Sequence, residues 1–343
     1  MASTVVLTDM ADLVTATLDD IERMKISPDS AEYQEYIVMD KLLKKNVEEI
    51  SDGTGIKKFV QIKLEDAFSH QGILDEDDVN IVDVLTEMNI RWAHGVADWG
   101  FTYHETIANR GKARLLDIFK PRMANAKLSM AGGLERAFWT LVGSTNNVKP
   151  YGAPYYLVKN ATAGFNGGRP SGYTDVAGID PNSNANWKNY TFSYVDTNRA
   201  DLVKQMRTAM RKTRWVSPVT TQQFRDFGMK YVMYCNEVTL SDIEDVLLSQ
   251  NDKLGFDVAP VDGMATIRRH PFQYTPYLDG ESDRPIYGIN HDTFHAVVQT
   301  GDNMRMTGPV RAPHQHNAFM MFIDLSYQFI CLSRRRNFVA YVA

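Results

Sequence analysis

One stripe of apolar residues constrains this chain more than any other feature. After Gly111, apolar side chains recur at Leu116, Phe119, Met123, Ala126, Met130, Leu134, Ala137 and Leu141. Steps of three or four residues place all of them on one face of an α-helix. A helix of about 30 residues spans roughly 45 Å, which is long for the core of a compact enzyme domain and natural for a spine that other elements lie against. Pro121 removes a backbone donor and should bend this helix, and Gly132-Gly133 weakens it.

Before the spine the periodicity is two. Val60, Ile62 and Leu64 alternate with Gln61, Lys63 and Glu65, and Met88, Ile90 and Trp92 alternate with Asn89 and Arg91. Each set is a strand with one buried face. Between them lies the acidic run Asp75-Glu76-Asp77-Asp78. The whole predicts an extended hairpin over residues 51–101, and a two-stranded ribbon is marginal unless it rests on another surface. The acidic run lacks the glycine and spacing of a calcium loop and reads as a solvated tip. Further upstream, Leu13, Val14, Leu18 and Ile21 mark a helix that starts at Thr8 and stops near Lys25, ahead of Ser27-Pro28. Residues 29–50 are polar and mixed, with a short helical pattern over 36–47. Residues 1–50 hold too few apolar side chains to close a core and read as an arm.

Beyond the spine, residues 143–195 are rich in Gly, Pro, Asn and Tyr, which predicts loop with short strands at 155–158 and 190–194. Asp196 or Thr197 caps a helix with Leu202, Val203, Met206 and Met210 inward and Arg199, Lys204, Arg207, Arg211 and Lys212 outward. Residues 231–235 form a buried strand. Thr239, with Asp242 three residues on, opens a further helix with Leu240, Ile243, Val246 and Leu247 on one face. Strand patterns return at 294–298 and where Leu325, Tyr327, Phe329 and Cys331 alternate with Asp324, Ser326 and Gln328. The fold class is α+β, with no internal repeat.

Composition narrows the function. No apolar run approaches the roughly 18 residues of a membrane helix. The first 20 residues hold no base and carry Asp9, Asp12, Asp19 and Asp20, unlike a secretory signal. Two cysteines, Cys235 and Cys331, exclude a disulfide framework and a cysteine zinc site. Both lie in strand-like apolar runs and read as inert core thiols, suited to a reducing cytoplasm. Charge is uneven. Residues 1–100 hold 21 acids against 9 bases, and the rest 21 against 28. Opposite signs predict that the first part lies against the second, in the same chain or in a neighbouring copy. The basic part is too interspersed with acids for a dedicated nucleic-acid binder.

The search for chemistry yields no catalytic, cofactor-binding or metal-binding residue. His291 and His295 are four apart in HDTFH, but on a strand this separates them by about 13 Å, and the general-base Glu of zinc peptidases is missing. His314 and His316 form an HxH pair whose next acid is Asp324; they would carry the chemistry of an α+β metalloenzyme, the weakest of the alternatives. Residues 164–170 (GFNGGRP) lack the spacing of a phosphate loop and read as a flexible surface loop. Asn160 and Asn189 open glycosylation triplets, but no signal peptide would carry the chain to that compartment. Arg334-Arg335-Arg336 is the densest basic run and reads as solvated or as paired across an interface, with nucleic-acid contact as the lesser alternative.

The order of elements, with the local texture of several segments, resembles the HK97-fold major capsid proteins of tailed bacteriophages. Residues 102–111 (TYHETIANRG) resemble the family's passage from E-loop to spine helix. Residues 141–157 (LVGSTNNVKPYGAPYYL) resemble its glycine turn after the spine, with Pro-x-Gly and then an apolar segment. Residues 178–190 (GIDPNSNANWKNY) resemble a Gly-Ile-Asp…Trp-Arg-Asn stretch, with Lys188 in place of the Arg. Residues 283–290 (DRPIYGIN) and 333–339 (SRRRNFV) resemble the closing strands. The resemblance spans nearly the whole chain and implies an N-terminal arm over 1–50, an E-loop hairpin over 51–101 and a spine helix of the peripheral (P) domain over 102–145. An axial (A) domain over 146–280 and closing strands of both domains over 281–343 complete the expected division.

The resemblance also implies a function. It is self-assembly into pentamers and hexamers that form an icosahedral shell around double-stranded DNA, without enzymatic activity, cofactor, membrane contact or sequence-specific DNA binding. The location would be the virion, with assembly in the host cytoplasm. Partners would be further copies of the chain, portal and decoration proteins, and a separate scaffolding protein, because the sequence has no room for a cleaved scaffold segment before the arm. Lys57, Lys58 and Lys63 lie in or near the hairpin, and none matches the lysine with which some members crosslink. A tail or portal component of a phage is the other structural reading.

Overall fold

A computed structural model describes Tyr36, residues 47–51, 53–62, His70, 85–108, 112–215, 230–251, 265–268 and 270–343. The expected arm helix, Lys63, Leu64 and the acidic run at 75–78 lie outside the described residues, as do the side chains of Leu116 and Leu247. In chain order the strands and helices are β1 (Val47–Ile50), β2 (Gly55–Gln61), β3 (Leu85–Arg91), β4 (Ala93–Thr102), α1 (Tyr103–Ala108), α2 (Lys112–Trp139), α3 (Ala153–Tyr156), β5 (Gly164–Gly167), β6 (Asn189–Tyr194) and α4 (Lys204–Lys212). They continue with β7 (Tyr231–Cys235), α5 (Glu237–Asn251), β8 (Thr266–Ile267), β9 (His270–Tyr274), β10 (Ile286–Asn290), β11 (Phe294–Gln299), β12 (Arg305–Arg311), β13 (Ala318–Cys331) and β14 (Phe338–Val342).

The apolar stripe is the buried face of α2. Phe119, Met123, Ala126, Met130 and Leu134 are buried against the sheet in which β4 and β13 lie side by side. The Phe101 and Phe119 rings are 4.9 Å apart, and Phe138 meets Phe329 at 5.1 Å and Phe294 at 5.3 Å. At the end of the helix the stripe departs from expectation. Phe138, four residues after Leu134, continues it, while Leu141 is 42% exposed. The helix stops at Trp139, so its periodicity no longer governs Leu141. Glu135, unforeseen, is fully buried and accepts a hydrogen bond from Trp139 Nε1 at 2.8 Å. The helix runs through Pro121.

Around α2 the sheet is organised by β13. One edge of that strand pairs with β11 through residues 327–331 and with β12 through residues 319–324, and the other edge pairs with β4 from Tyr327↔Ala93 to Ala318↔Thr102. β1 joins in parallel on β11, from Val47↔Ala296 to Ile50↔Gln299. Position 47 is thus the start of a strand rather than the end of the short helix expected there. The passage from β4 into α1 is a capping box: Glu105 N donates to Thr102 Oγ1, and Thr102 N donates to Glu105 Oε2. Arg122 on α2 grips the same carboxylate with two bonds of 2.9 and 2.8 Å and holds it well below the usual range, at about 2.

The second sheet has the order β5-β6-β14-β10-β7-β9-β8. α4 packs on β6 and α5 on β9. Leu202, Val203, Met206 and Met210 are buried, and Arg199, Lys204, Arg207, Arg211 and Lys212 are exposed, as their spacing predicts. Met206→Ala is expected to lower unfolding free energy by about 2–5 kcal/mol and Arg207→Ala by under about 0.5 kcal/mol; denaturation midpoints in the reverse order would mean that this helix is misplaced.

Three local expectations are corrected. The cap ahead of α4 is Asn198, whose Oδ1 accepts from Asp201 N at 2.7 Å, and not Asp196 or Thr197. Asp201 in turn accepts from Val195 N and Asp196 N, which leaves Asn198 as the residue facing the open turn. For α5 the cap is Asn236, bonded to Thr239 N at 3.1 Å, and Thr239 itself is buried inside the helix. Residues 155–158 do not form a strand: Pro154 at the helix start and the bond from Leu157 N to Ala153 O wind residues 153–156 into α3. Alternation along β13 also fails near its end, where Ser326 and Gln328 are buried alongside Leu325, Tyr327 and Phe329, because both faces of the strand are covered there.

Candidate functional site

The third sheet is the two-stranded ribbon β2–β3, in register from Gly55↔Arg91 to Gln61↔Leu85. Its two faces differ. Ile56, Met88 and Ile90 are buried in one cluster with Val176, Ile179 and Trp187. Asn89 N donates to Ala177 O at 3.1 Å, and Asn186 Nδ2 to Ile62 O at 2.9 Å. Lys58 pairs with Glu48 on β1, whose other oxygen lies 3.2 Å from His295 Nε2. The surface that this ribbon needs is therefore supplied by its own chain. The opposite face carries Phe59, 70% exposed, and Leu85, 54% exposed, diagonal neighbours across the two strands. A ribbon that shows water a Phe and a Leu offers them to another surface.

Beside Phe59 opens a cavity of about 750 Å³, bounded by β2, by Phe165 on β5, by Asn186 and by the turn 332–336. Lys212, Arg214, Arg335 and Arg336 line it, and among the described residues no carboxylate does. Arg335 stacks on Phe165 with 4.3 Å between its guanidinium carbon and the ring centre and also bonds Asn186. The groove is thus an electropositive slot with an aromatic wall.

The expectation that Arg334 is solvated or paired across an interface is overturned. Arg334 is fully buried. Its Nε donates to Tyr156 O and its Nη1 to Trp187 O, both at 2.7 Å. Nη2 donates to Gly168 O at 2.7 Å, Gly167 O at 3.2 Å and Asn189 Oδ1 at 3.1 Å. Desolvation pulls its pKa down to about 10, so it stays charged at neutral pH. The glycine-rich run 164–170, expected as a flexible loop, holds β5 and supplies two of these acceptors. Gly167 is required there because a Cβ would stand 2.0 Å from Asn189 Oδ1. Three arginines in a row look like surface charge in a sequence, and nothing local announces that backbone carbonyls from three distant segments converge on one of them.

The remaining candidates take structural places. His291 is buried, with Nε2 2.8 Å from Tyr234 Oη. His314 and His316 are exposed in the turn between β12 and β13. Among the described residues no group of three His, Cys, Asp or Glu is placed to hold a metal ion. Cys235 and Cys331 are buried, and burial pushes both thiols up to about 12, which leaves them inert as expected. Asn189 is fully buried. Lys57 pairs with Glu87 at 2.8 Å across the ribbon. No described helix is long and apolar enough to cross a membrane.

No protein-family model matches the chain, and no curated protein matches it. Solved structures do. The chain is similar to the capsid protein in the cyanophage A-1(L) capsid asymmetric unit, with a TM-score of 0.57 and 13% identity over 88% of this chain and 92% of that one. It is similar to the capsid of a native GTA particle, with a TM-score of 0.51 and 10% identity over 93% and 92%. It is similar to the mature capsid of bacteriophage PhiM1, with a TM-score of 0.50 and 8% identity over 93% and 89%. The fold is the α+β fold of phage capsid proteins, the HK97-like fold that the segment resemblances imply.

Proposed function

We propose that this chain is a major capsid protein that assembles through pentamers and hexamers into an icosahedral shell around phage DNA. The observation that carries this reading is the extent of the fold match, 88% of this chain against 92% of the cyanophage A-1(L) capsid chain, which leaves little of the chain for another purpose. The exposed outer face of the ribbon and the basic groove beside it are the surfaces through which copies would meet. Residues 1–50, 51–101, 102–145, 146–280 and 281–343 are the proposed arm, E-loop, spine, A-domain and closing strands. The working location is the virion, with assembly in the host cytoplasm, no catalysis, and scaffold, portal and decoration proteins as partners. Electron microscopy of the protein co-expressed with its genomic neighbours should show closed shells. A tube, or a single ring of another symmetry, would move it to the tail or portal, and a monodisperse monomer or dimer under every condition would refute assembly.

Replacing Asp75, Glu76, Asp77 and Asp78 together with Ser is expected to leave circular dichroism unchanged and to lower particle yield at low salt. Each exposed ion pair is worth only about 0.2–1 kcal/mol, but a shell repeats the contact at every copy. The deficit should shrink as salt rises, because screening acts over roughly 8 Å at 0.15 M. Equal yields at low salt would make the acidic run a solubility feature.

A further inference from the structure

The fold accepts backbone strain to bring one of the four basic residues to the slot beside β2. α4 ends at Lys212 in a Schellman turn, in which Trp215 N donates to Met210 O at 2.9 Å and Arg214 N to Arg211 O at 3.2 Å. The residue that turns the chain here takes the left-handed conformation, and glycine is the usual choice because it has no Cβ. In this chain it is Arg214, at φ 60°. A side chain in that conformation is strained, and both bonds of the turn use the backbone only. What the arginine adds over glycine is a long cationic side chain on a residue that lines the slot.

The facing wall is held just as firmly. Trp215 Nε1 donates to Arg336 O at 2.9 Å, which ties the end of α4 to the turn 334–336, and the buried fork of Arg334 anchors that turn from inside. Arg335 sits over Phe165 and bonds Asn186 Oδ1, which takes one of its five donors. Among the described residues no carboxylate pairs with any of the four cations. The negative end of a helix accounts for Lys212, but not for Arg335 and Arg336. Like charges gathered without a counter-charge repel one another, so an anion in the slot would be favoured. A cavity of about 750 Å³ has the size of a small-ligand pocket, and guanidinium forks match phosphate oxygens in pairs. Nucleic acids and acidic peptides space their charges one per residue along a chain. Condensed phosphates concentrate several charges on a few atoms, which fits a compact slot lined by four cations.

We propose that this slot binds a compact polyphosphate, inorganic or as the triphosphate of a nucleotide, with Arg214 and Arg335 as its main contacts. The site belongs to the single subunit and stands whether or not copies form a shell.

Calorimetric titration of the dilute full chain with sodium tripolyphosphate tests it. Expected is saturable binding at one site with a Kd below about 1 mM at about 0.15 M salt. Arg335→Gln and Arg214→Gly should each weaken it at least about tenfold, the usual worth of a hydrogen bond to a charged group. Arg207→Gln, on the outward face of α4 and outside the slot's lining, should leave it unchanged. Arg214→Gly separates binding from folding. Glycine relieves the left-handed strain, so the denaturation midpoint should stay at or above the parent's while affinity falls. A lower midpoint would mean that the arginine serves the turn, and would overturn the proposal. So would absent binding, or binding equally strong in both variants. Adenosine triphosphate as a second titrant identifies the source: affinity at least about tenfold above that of tripolyphosphate assigns a nucleotide, and any lower affinity assigns the inorganic anion. A thymidine oligonucleotide or a poly-aspartate peptide that binds more tightly than either phosphate would make the slot a nucleic-acid or protein interface instead and refute the assignment.

Discussion

Arg334→Met should destabilise the protein by about 3–5 kcal/mol, the usual consequence of removing one partner from a buried charged network. In an ordinary buried ion pair both charges can be replaced by apolar groups at little loss. Here that escape is closed, because four of the five acceptors are backbone carbonyls, of Tyr156, Gly167, Gly168 and Trp187, which no substitution removes. Each carbonyl left buried and unbonded costs about 1–3 kcal/mol, and relaxation of the turn recovers part of that. Arg334→Lys should fail nearly as badly. An ammonium keeps the charge but offers three donors from one point and cannot reach acceptors spread around a planar fork. Chemical denaturation of the two variants beside the parent is the measurement. A Met variant with the parent's midpoint would mean that the five contacts carry no net stability.

A second large effect is expected at Gly152. A Cβ there would stand 2.1 Å from Phe138 O, 2.7 Å from Phe138 C and 2.8 Å from Ala137 O, all in the last turn of α2. These are backbone atoms of a buried helix end and cannot swing aside as a side chain would. Gly152→Ala should therefore lose about 3 kcal/mol, at the upper end of overpacking costs. Gly133→Ala in the same helix provides the contrast. Its Cβ would meet nothing within 4 Å, and exchanging an interior helical glycine for alanine is expected to gain about 0.5–1 kcal/mol. If both variants melted alike, the close approach of the Pro150 turn to the helix end would be wrong.

Periodicity carried most of the fold that was legible in the sequence. The α2 stripe and the inward face of α4 follow from spacing, because each has one face on a core, whereas β6, β7 and β11 were legible as short apolar runs that are buried on both faces. Legibility fails where an environment is set by distant segments. Ser326 and Gln328 look like the polar face of β13, yet Gln328 is buried, accepts from Tyr151 N at 2.8 Å and donates to Arg91 O at 3.0 Å, so its chemistry serves two loops from elsewhere in the chain. The caps of α4 and α5 were displaced because Asp196, Thr197 and Asn198 are all competent, and only backbone geometry selects among them. Arg334 was misread for the same reason as Gln328. At the candidate surfaces, alternation found the inward side of the ribbon, but the exposure of Phe59 and the gathering of Lys212, Arg214, Arg335 and Arg336 around one groove depend on three-dimensional neighbours.

The pairing of β4 with β13 also sets a clock on synthesis. Thr102 meets Ala318, so roughly 200 residues must be made after β4 before its partner exists. At about 5–20 residues per second this takes about 10–40 seconds. Throughout that interval Trp99, Phe101 and the apolar side of α2 have no sheet to close over them. A half-made subunit is therefore an adhesive object, and a cell making many copies at once holds a standing population of them. Arrest of translation between β4 and β13 should send this protein to chaperones or into aggregates, and it would keep incomplete chains out of any assembly, since the first core stays open until the late strand is made.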